Sequence, residues 1–205
     1  ARFSVPAGQR YEPRDYTVQG DASSASYFWA AAAITGGTVT TRNIHPGGRQ
    51  GDIRLLEVLE AMGCTVDRES DRVTVTGSPL KGLDVDMGAM PDMVPTLAAV
   101  ALFAEGKTTI RNVGHLRFKE SDRLSAVTQE WRKLGGRVEE SEDSLVVHGG
   151  EKLFGAEVGP HDDHRLAMSL AVVGLKVPGV RIQNPACVSK SFPQFWDLWK
   201  GLFGE

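Results

Sequence analysis

The chain has few of the features that would place it at once. It carries only two cysteines, Cys64 and Cys187. Two do not make a disulfide framework, and neither sits near a His or a second Cys at metal-ligand spacing. Both are expected to be small apolar residues in the interior, as in a reducing, cytoplasmic setting. An excess of one charge is also missing. Lys and Arg number 23 against 26 Asp and Glu, a net charge of −3. With no basic run and no basic-aromatic interleaving, no nucleic-acid partner is expected. The longest apolar stretch, around residues 27–34, is too short and too Ala-rich to span a bilayer, so no membrane role is expected either. The start has no charged segment followed by an apolar one, as a signal peptide requires. Ala1 is not a Met, and residues 1–5 read as a strand entered midway, which points to a processed or engineered chain or part of a longer protein. No Ser-His-Asp order, Cys-x-x-Cys pair, P-loop or Gly-x-Gly-x-x-Gly is present, and Gly47-Gly48 and Gly135-Gly136 read as turns.

What the chain does have is an internal repeat. With 205 residues, 41% of them apolar, it can bury a sizeable core as one large domain or two small ones. Residues 37–44 line up with 106–113, and 66–77 with 138–149. Each copy predicts a helix of small residues (24–33; 93–104), a strand (38–44; 108–113), and then an amphipathic helix. The apolar positions of that helix are Ile53, Leu56, Leu59 and Met62, or Leu124, Val127, Trp131 and Leu134. Two short strands close the unit (65–67 and 72–76; 137–139 and 145–148). A third, partial copy starts at Asp163, with a helix through Leu166, Leu170 and Val173, a strand at 180–183 and a helix at 194–202. Copies of one supersecondary unit share a core, and alternating strands and helices mean an α/β class. The first helix of each unit is apolar or small nearly all round, so it must be buried on most faces. This favours units wrapped around central helices over helices outside a sheet. The expected arrangement is one domain over 1–205, with units at about 20–77, 91–149 and 163–205.

Charge gathers where helices begin. Lys119-Glu120-Ser121-Asp122-Arg123 packs two cations and two acids into five residues before the helix of Leu124 to Leu134. Ser121 or Asp122 can cap that helix, and its free N–H groups and partial positive charge suit a phosphorylated or carboxylate ligand. Taken alone, the stretch is better read as a capping box. His161-Asp162-Asp163-His164-Arg165 is a second such cluster. His161, Asp163 and His164 are ligand types, but the spacing matches no known metal site and Arg165 would repel a cation, so no metal is expected. Each first helix starts by an acid: Asp21, Asp92 or Asp162-Asp163. All three explain themselves as caps, and Asp92 and Asp163 can be site residues as well. Lys190, in the loop Ser189-Lys190-Ser191-Phe192-Pro193, completes a set of four cations with Lys119, Arg123 and Arg165, beside the acids Asp92 and Glu120. Arginine forks bind carboxylates bidentately, lysine serves phosphate as a point charge, and tuned carboxylates move protons.

From about Phe3 to the end the chain resembles the C-terminal half of the 5-enolpyruvylshikimate-3-phosphate synthases. The resemblance rests on six motifs in the family's order. They are Gly20-Asp21-Ala22-Ser23-Ser24-Ala25-Ser26-Tyr27-Phe28, Gln50-Gly51-Asp52, Pro91-Asp92, Arg117-Phe118-Lys119-Glu120-Ser121-Asp122-Arg123, Asp163-His164-Arg165-Leu166-Ala167-Met168 and Lys190-Ser191-Phe192-Pro193. It implies an inverse αβ-barrel type of domain, one of two in the family, each built from βαβαββ units around buried helices. It also implies transfer of the enolpyruvyl group of phosphoenolpyruvate to the 5-hydroxyl of shikimate 3-phosphate, with release of phosphate and no metal or organic cofactor. Asp92 would hold the sugar-acid hydroxyls and take the 5-hydroxyl proton. Glu120 would protonate the methylene carbon, and Lys119 would contact shikimate 3-phosphate. Arg123 and Arg165 would grip the phosphoenolpyruvate carboxylate, and Lys190 would meet its phosphate. Some members carry Asn where this chain has His115, which can still donate a hydrogen bond to shikimate 3-phosphate. The family's other half supplies a further Lys, an Arg, a Gln and serines. The N-terminal half is therefore an expected partner, and this chain alone is expected to be inactive. Two other readings remain: the sister transferase acting on UDP-N-acetylglucosamine, and a catalytically silent module that binds anions or a partner.

Overall fold

A computed structural model describes residues 2–202 of the chain. The expected strand at 1–5 lies partly outside them; residues 2–6 are not a strand, and residues 2–18 run exposed to solvent. The segment joins the fold where Asn43 Nδ2 donates to Val18 O (3.0 Å) and Gly20 N–H donates to Asn43 O (2.7 Å).

The first unit comprises helix α1 (Ala22–Thr35), strand β1 (Thr38–Arg42), helix α2 (Leu55–Met62) and strands β2 (Thr65–Arg68) and β3 (Arg72–Thr76). The second opens on strand β4 (Asp84–Asp86). It continues through α3 (Val94–Ala101), β5 (Lys107–Arg111), α4 (Arg123–Lys133), β6 (Arg137–Glu140) and β7 (Leu145–His148). The third has β8 (Glu157–Val158), α5 (His164–Gly174), β9 (Arg181–Ile182) and α6 (Phe195–Gly201). The last part of the third expected unit, residues 203–205, lies outside the described residues.

Each unit forms its own small sheet. In the first, β1 and β2 both pair antiparallel with β3. In the second, β5 and β6 pair antiparallel with β7, and β4 adds parallel to β5. In the third, β8 and β9 are parallel. Period-2 patterning sets the inner face: Val73 and Val75 of β3, and Leu145 and Val147 of β7, are buried while their neighbours are not. The strands stop earlier than expected. Asn43, Asn112 and Asn184 follow β1, β5 and β9 with φ of 58°, 61° and 41°. A left-handed residue, which Asn tolerates, breaks the extended run.

Helices α1, α3 and α5 pack on one another in the centre. This is the arrangement that their all-round small or apolar composition requires. Close approach needs small side chains. Where the three helices meet, Ser26 Oγ lies 3.4 Å from Thr96 Oγ1, which lies 3.5 Å from Ser169 Oγ, and all three residues are fully buried. The repeat also explains two glycines. A methyl group at Gly77 would overlap the carbonyl oxygen of Ala32, and one at Gly149 that of Ala104. Equivalent strand ends thus run hard against equivalent helix ends. Around this centre the amphipathic helices bury Leu56, Leu59 and Met62 on α2, and Leu124, Val127, Trp131 and Leu134 along α4, whereas Ile53, expected on the first stripe, is half-buried in the 3₁₀ turn Gly51–Arg54 ahead of α2. Cys64 is buried as expected, whereas Cys187 is only half-buried at the margin of the core. No helix among the described residues is long and apolar enough to cross a membrane.

Candidate active site

The repeat brings the starts of α3, α4 and α5 to one place, and the charged clusters meet there. At its centre is Arg123, the first residue of α4, with a side chain 1% exposed. A buried guanidinium needs partners for its N–H groups, and three carboxylates supply most of them. Nε donates to Asp163 Oδ2 (2.6 Å), Nη1 to Asp92 Oδ1 (2.7 Å) and Nη2 to Glu120 Oε2 (2.7 Å). Around this hub lie the other expected cations. Arg165 Nη2 is 3.0 Å from Asp92 Oδ2, Lys119 Nζ is 3.5 Å from Asp92 Oδ1, and Lys190 Nζ donates to Glu120 Oε1 (3.1 Å). Six of the seven expected site residues therefore join one ion-pair network. The seventh, His115, lies exposed in the 3₁₀ turn Gly114–Phe118 and makes no side-chain hydrogen bond among the described residues.

Of the helix starts, that of α3 departs from the expectation. Asp163 caps α5 by accepting from Arg165 N–H (2.9 Å) while also holding Arg123. Asp92 caps nothing: it sits in the 3₁₀ turn Pro91–Met93 ahead of α3, and its oxygens go to cations. Asp122, not Ser121, caps α4, accepting from Ser125 N–H (3.0 Å). Ser121 Oγ leans instead toward Asp163 Oδ2 (3.5 Å). The ligand types at 161–164 do not converge, because His161 Nε2 turns away to Glu130 Oε1 (2.7 Å).

Electrostatics follow from this packing. Burial pushes the Asp92 carboxyl up, but Arg165, Arg123 and Lys119 outweigh it and hold the group below its ordinary value. For Glu120, burial is again the largest single influence. Its own backbone N–H, Lys190 and Arg123 together overcome it and bring the carboxyl down to about 2. Burial pulls Arg123 down, but Asp163, Asp92 and Glu120 more than restore it, so the guanidinium stays charged. Four cations thus meet three carboxylates, with Asp92, Glu120, Lys119 and Lys190 side chains each more than a quarter exposed and Arg165 at 17%. Such a surface suits anions by its charge and holds two ionised acids beside them.

Sequence reasoning missed three contributors. Arg117 pins the motif loop to the β6–β7 hairpin, donating from Nε to Glu142 O (3.1 Å) and from Nη1 to Asp122 Oδ2 (2.8 Å). Asp52 accepts from Ser23 Oγ at the start of α1, and burial raises its carboxyl against the pull of Ser23 and Arg165. Tyr27 is wholly buried on α1 near Arg165, and burial pushes its phenol far above the ordinary range. All three belong to quoted motifs, but spacing in the sequence does not reveal their contacts.

Known proteins are similar to this chain along nearly its whole length. A family model described as EPSP synthase (3-phosphoshikimate 1-carboxyvinyltransferase) matches residues 1–199. A 3-phosphoshikimate 1-carboxyvinyltransferase of Syntrophobacter fumaroxidans is 53% identical over 98% of this chain and 48% of its own length. One from Methanoculleus marisnigri is 50% identical over 100% of the chain and 48% of its own length. The solved EPSP synthase of Acinetobacter baumannii superposes with a TM-score of 0.81 at 31% identity, covering 90% of this chain and 46% of that one. The chain thus spans about half the length of the curated relatives it matches.

Proposed function

The chain belongs to the EPSP synthase family, and on that premise we propose that it supplies half of an active site that moves the enolpyruvyl group of phosphoenolpyruvate to the 5-hydroxyl of shikimate 3-phosphate. An N-terminal half of the same kind of enzyme supplies the rest, in the cytoplasm. The observation that carries the reading is the convergence of Asp92, Glu120, Lys119, Arg165 and Lys190 around the buried Arg123.

The chemistry needs fixed cations for two anionic substrates and two carboxylates that exchange protons. Asp92, held ionised, accepts the 5-hydroxyl proton as that oxygen attacks the enol carbon. Glu120 protonates the methylene carbon, forming a tetrahedral ketal adduct. It takes a proton back from the new methyl group as phosphate leaves with the proton that Asp92 had accepted, which restores the enol ether and both carboxylates. Arg165 holds the substrate carboxylate, joined by Arg123 once Glu120 releases its Nη2, Lys190 holds the departing phosphate, and Lys119 the shikimate 3-phosphate. Lys190 and Arg123 keep the Glu120 carboxyl ionised, with no proton to donate. Substrate anions that draw those cations away raise its pKa toward the range of a proton donor. The side chain of Glu120 is thus a base when alone and an acid when loaded.

The test is phosphate release from the two substrates, with the chain alone and with a family N-terminal half added. Turnover only in combination is expected. A folded mixture that stays inactive overturns the proposal in favour of a silent anion-binding module, and release with UDP-N-acetylglucosamine as acceptor would favour the sister transferase.

A further inference from the structure

Five non-glycine residues among the described ones have positive φ, and two of them are not asparagines: His161 (51°) and Asp162 (56°). Two consecutive left-handed residues are unfavourable even for types that tolerate the region singly. No other unit has such a pair before its central helix; Asp21, ahead of α1, has φ −85°. The pair immediately precedes Asp163 and Arg165, so whatever holds it aims both.

Glu130 holds it. This residue lies on α4 two helical turns after Arg123, hence on the same face. Its side chain is fully buried. It accepts from Lys133 Nζ (2.8 Å), Gly159 N–H (2.9 Å) and His161 Nε2 (2.7 Å). Burial pushes its carboxyl up, yet Lys133, the Gly159 N–H and His161 hold it below its ordinary value. On the other side Asn184 Nδ2 donates to Asp162 Oδ1 (3.0 Å), and Asp163 N–H closes the turn on Pro160 O (2.8 Å). One face of α4 therefore grips the entry to α5 twice, through Arg123 on Asp163 and through Glu130 on His161.

We infer that Glu130 and His161 are positioning residues: the Glu130–His161 contact locks the strained 160–163 turn and so places Arg165 for the substrate carboxylate. The inference rests on the function proposed above. His161 is 36% exposed on its side chain, so its substitution tests the contact without emptying the core. In the chain combined with an N-terminal half, His161→Ala should raise the KM for phosphoenolpyruvate about 10-fold, with kcat changed less than about 3-fold. His161→Gln, which keeps a donor at similar reach, should restore most of that loss. Backbone amides at 163–165 should exchange faster in His161→Ala than in the parent chain. An unchanged KM together with unchanged exchange overturns the inference. If the parent combination has no activity, the proposed function fails by itself, and the exchange of 163–165 alone decides: faster supports the lock, unchanged removes it.

Discussion

The starts of α1 and α5 begin from the same residue type and end as different things. Asp21 is exposed, and its carboxylate serves only its own helix, accepting from Ser24 N–H (2.9 Å) and Ser24 Oγ (2.7 Å). Asp163 does that same capping on α5, but it is fully buried and also carries Arg123. The local signal is equal; the surroundings are not. What separates a cap from a site residue here is a guanidinium delivered from another unit into a place without water, where losing a charge partner is costly.

One substitution made at both places gives the largest contrast. Asn caps about as well as Asp, so Asp21→Asn should leave stability unchanged within about 0.5 kcal/mol. Asp163→Asn keeps the cap but strips a charge from buried Arg123, and should cost about 3 kcal/mol or more in chemical denaturation. Equal effects at the two positions would dissolve the distinction. Glu120 sharpens it next. In the combined enzyme Glu120→Gln should slow turnover roughly 10²-fold while shikimate 3-phosphate binding stays nearly intact. A loss of only a few-fold would put Glu120 with Asp21, as an acid that happens to stand at a helix start.

The smallest effect is the acid limb. Glu120 has a folded-state pKa of about 2 against an ordinary 4.5. A lowered pKa stabilises the fold above the unfolded value, and that contribution is lost as pH falls through the folded value. The stability gap between the parent chain and Glu120→Gln should therefore be full above about pH 5 and narrow toward about pH 2. A gap constant with pH would mean that the carboxylate adds nothing in its ionised form.

Much of this was legible in the residues themselves. The repeat, the buried central helices and the stripe of Leu124, Val127, Trp131 and Leu134 follow from side-chain size and period. The strand ends did not, because Asn43 and Asn112 read as polar strand residues until their left-handed backbone is seen. The short strands β4 and β8 were also missed: three and two residues are too few to show a period. Of the site, the charged residues were visible as charges, and the resemblance gave them roles. Their partners were not visible, since Arg123–Asp163 and Glu130–His161 join distant parts of the chain. Ser121 illustrates the limit: sequence offers it as a helix cap, but Asp122 takes that job and frees Ser121 to face Asp163.

The line of Ser26, Thr96 and Ser169 bears on how this chain moves. Side chains this small leave no slack between α1, α3 and α5, and close-packed interiors transmit displacement instead of absorbing it. Sliding one helix would pull the hydroxyls apart in a place where water cannot replace them. The acids and cations mounted on those helix starts thus behave like studs on a single plate. Rearrangement at this cluster is left to side-chain rotation.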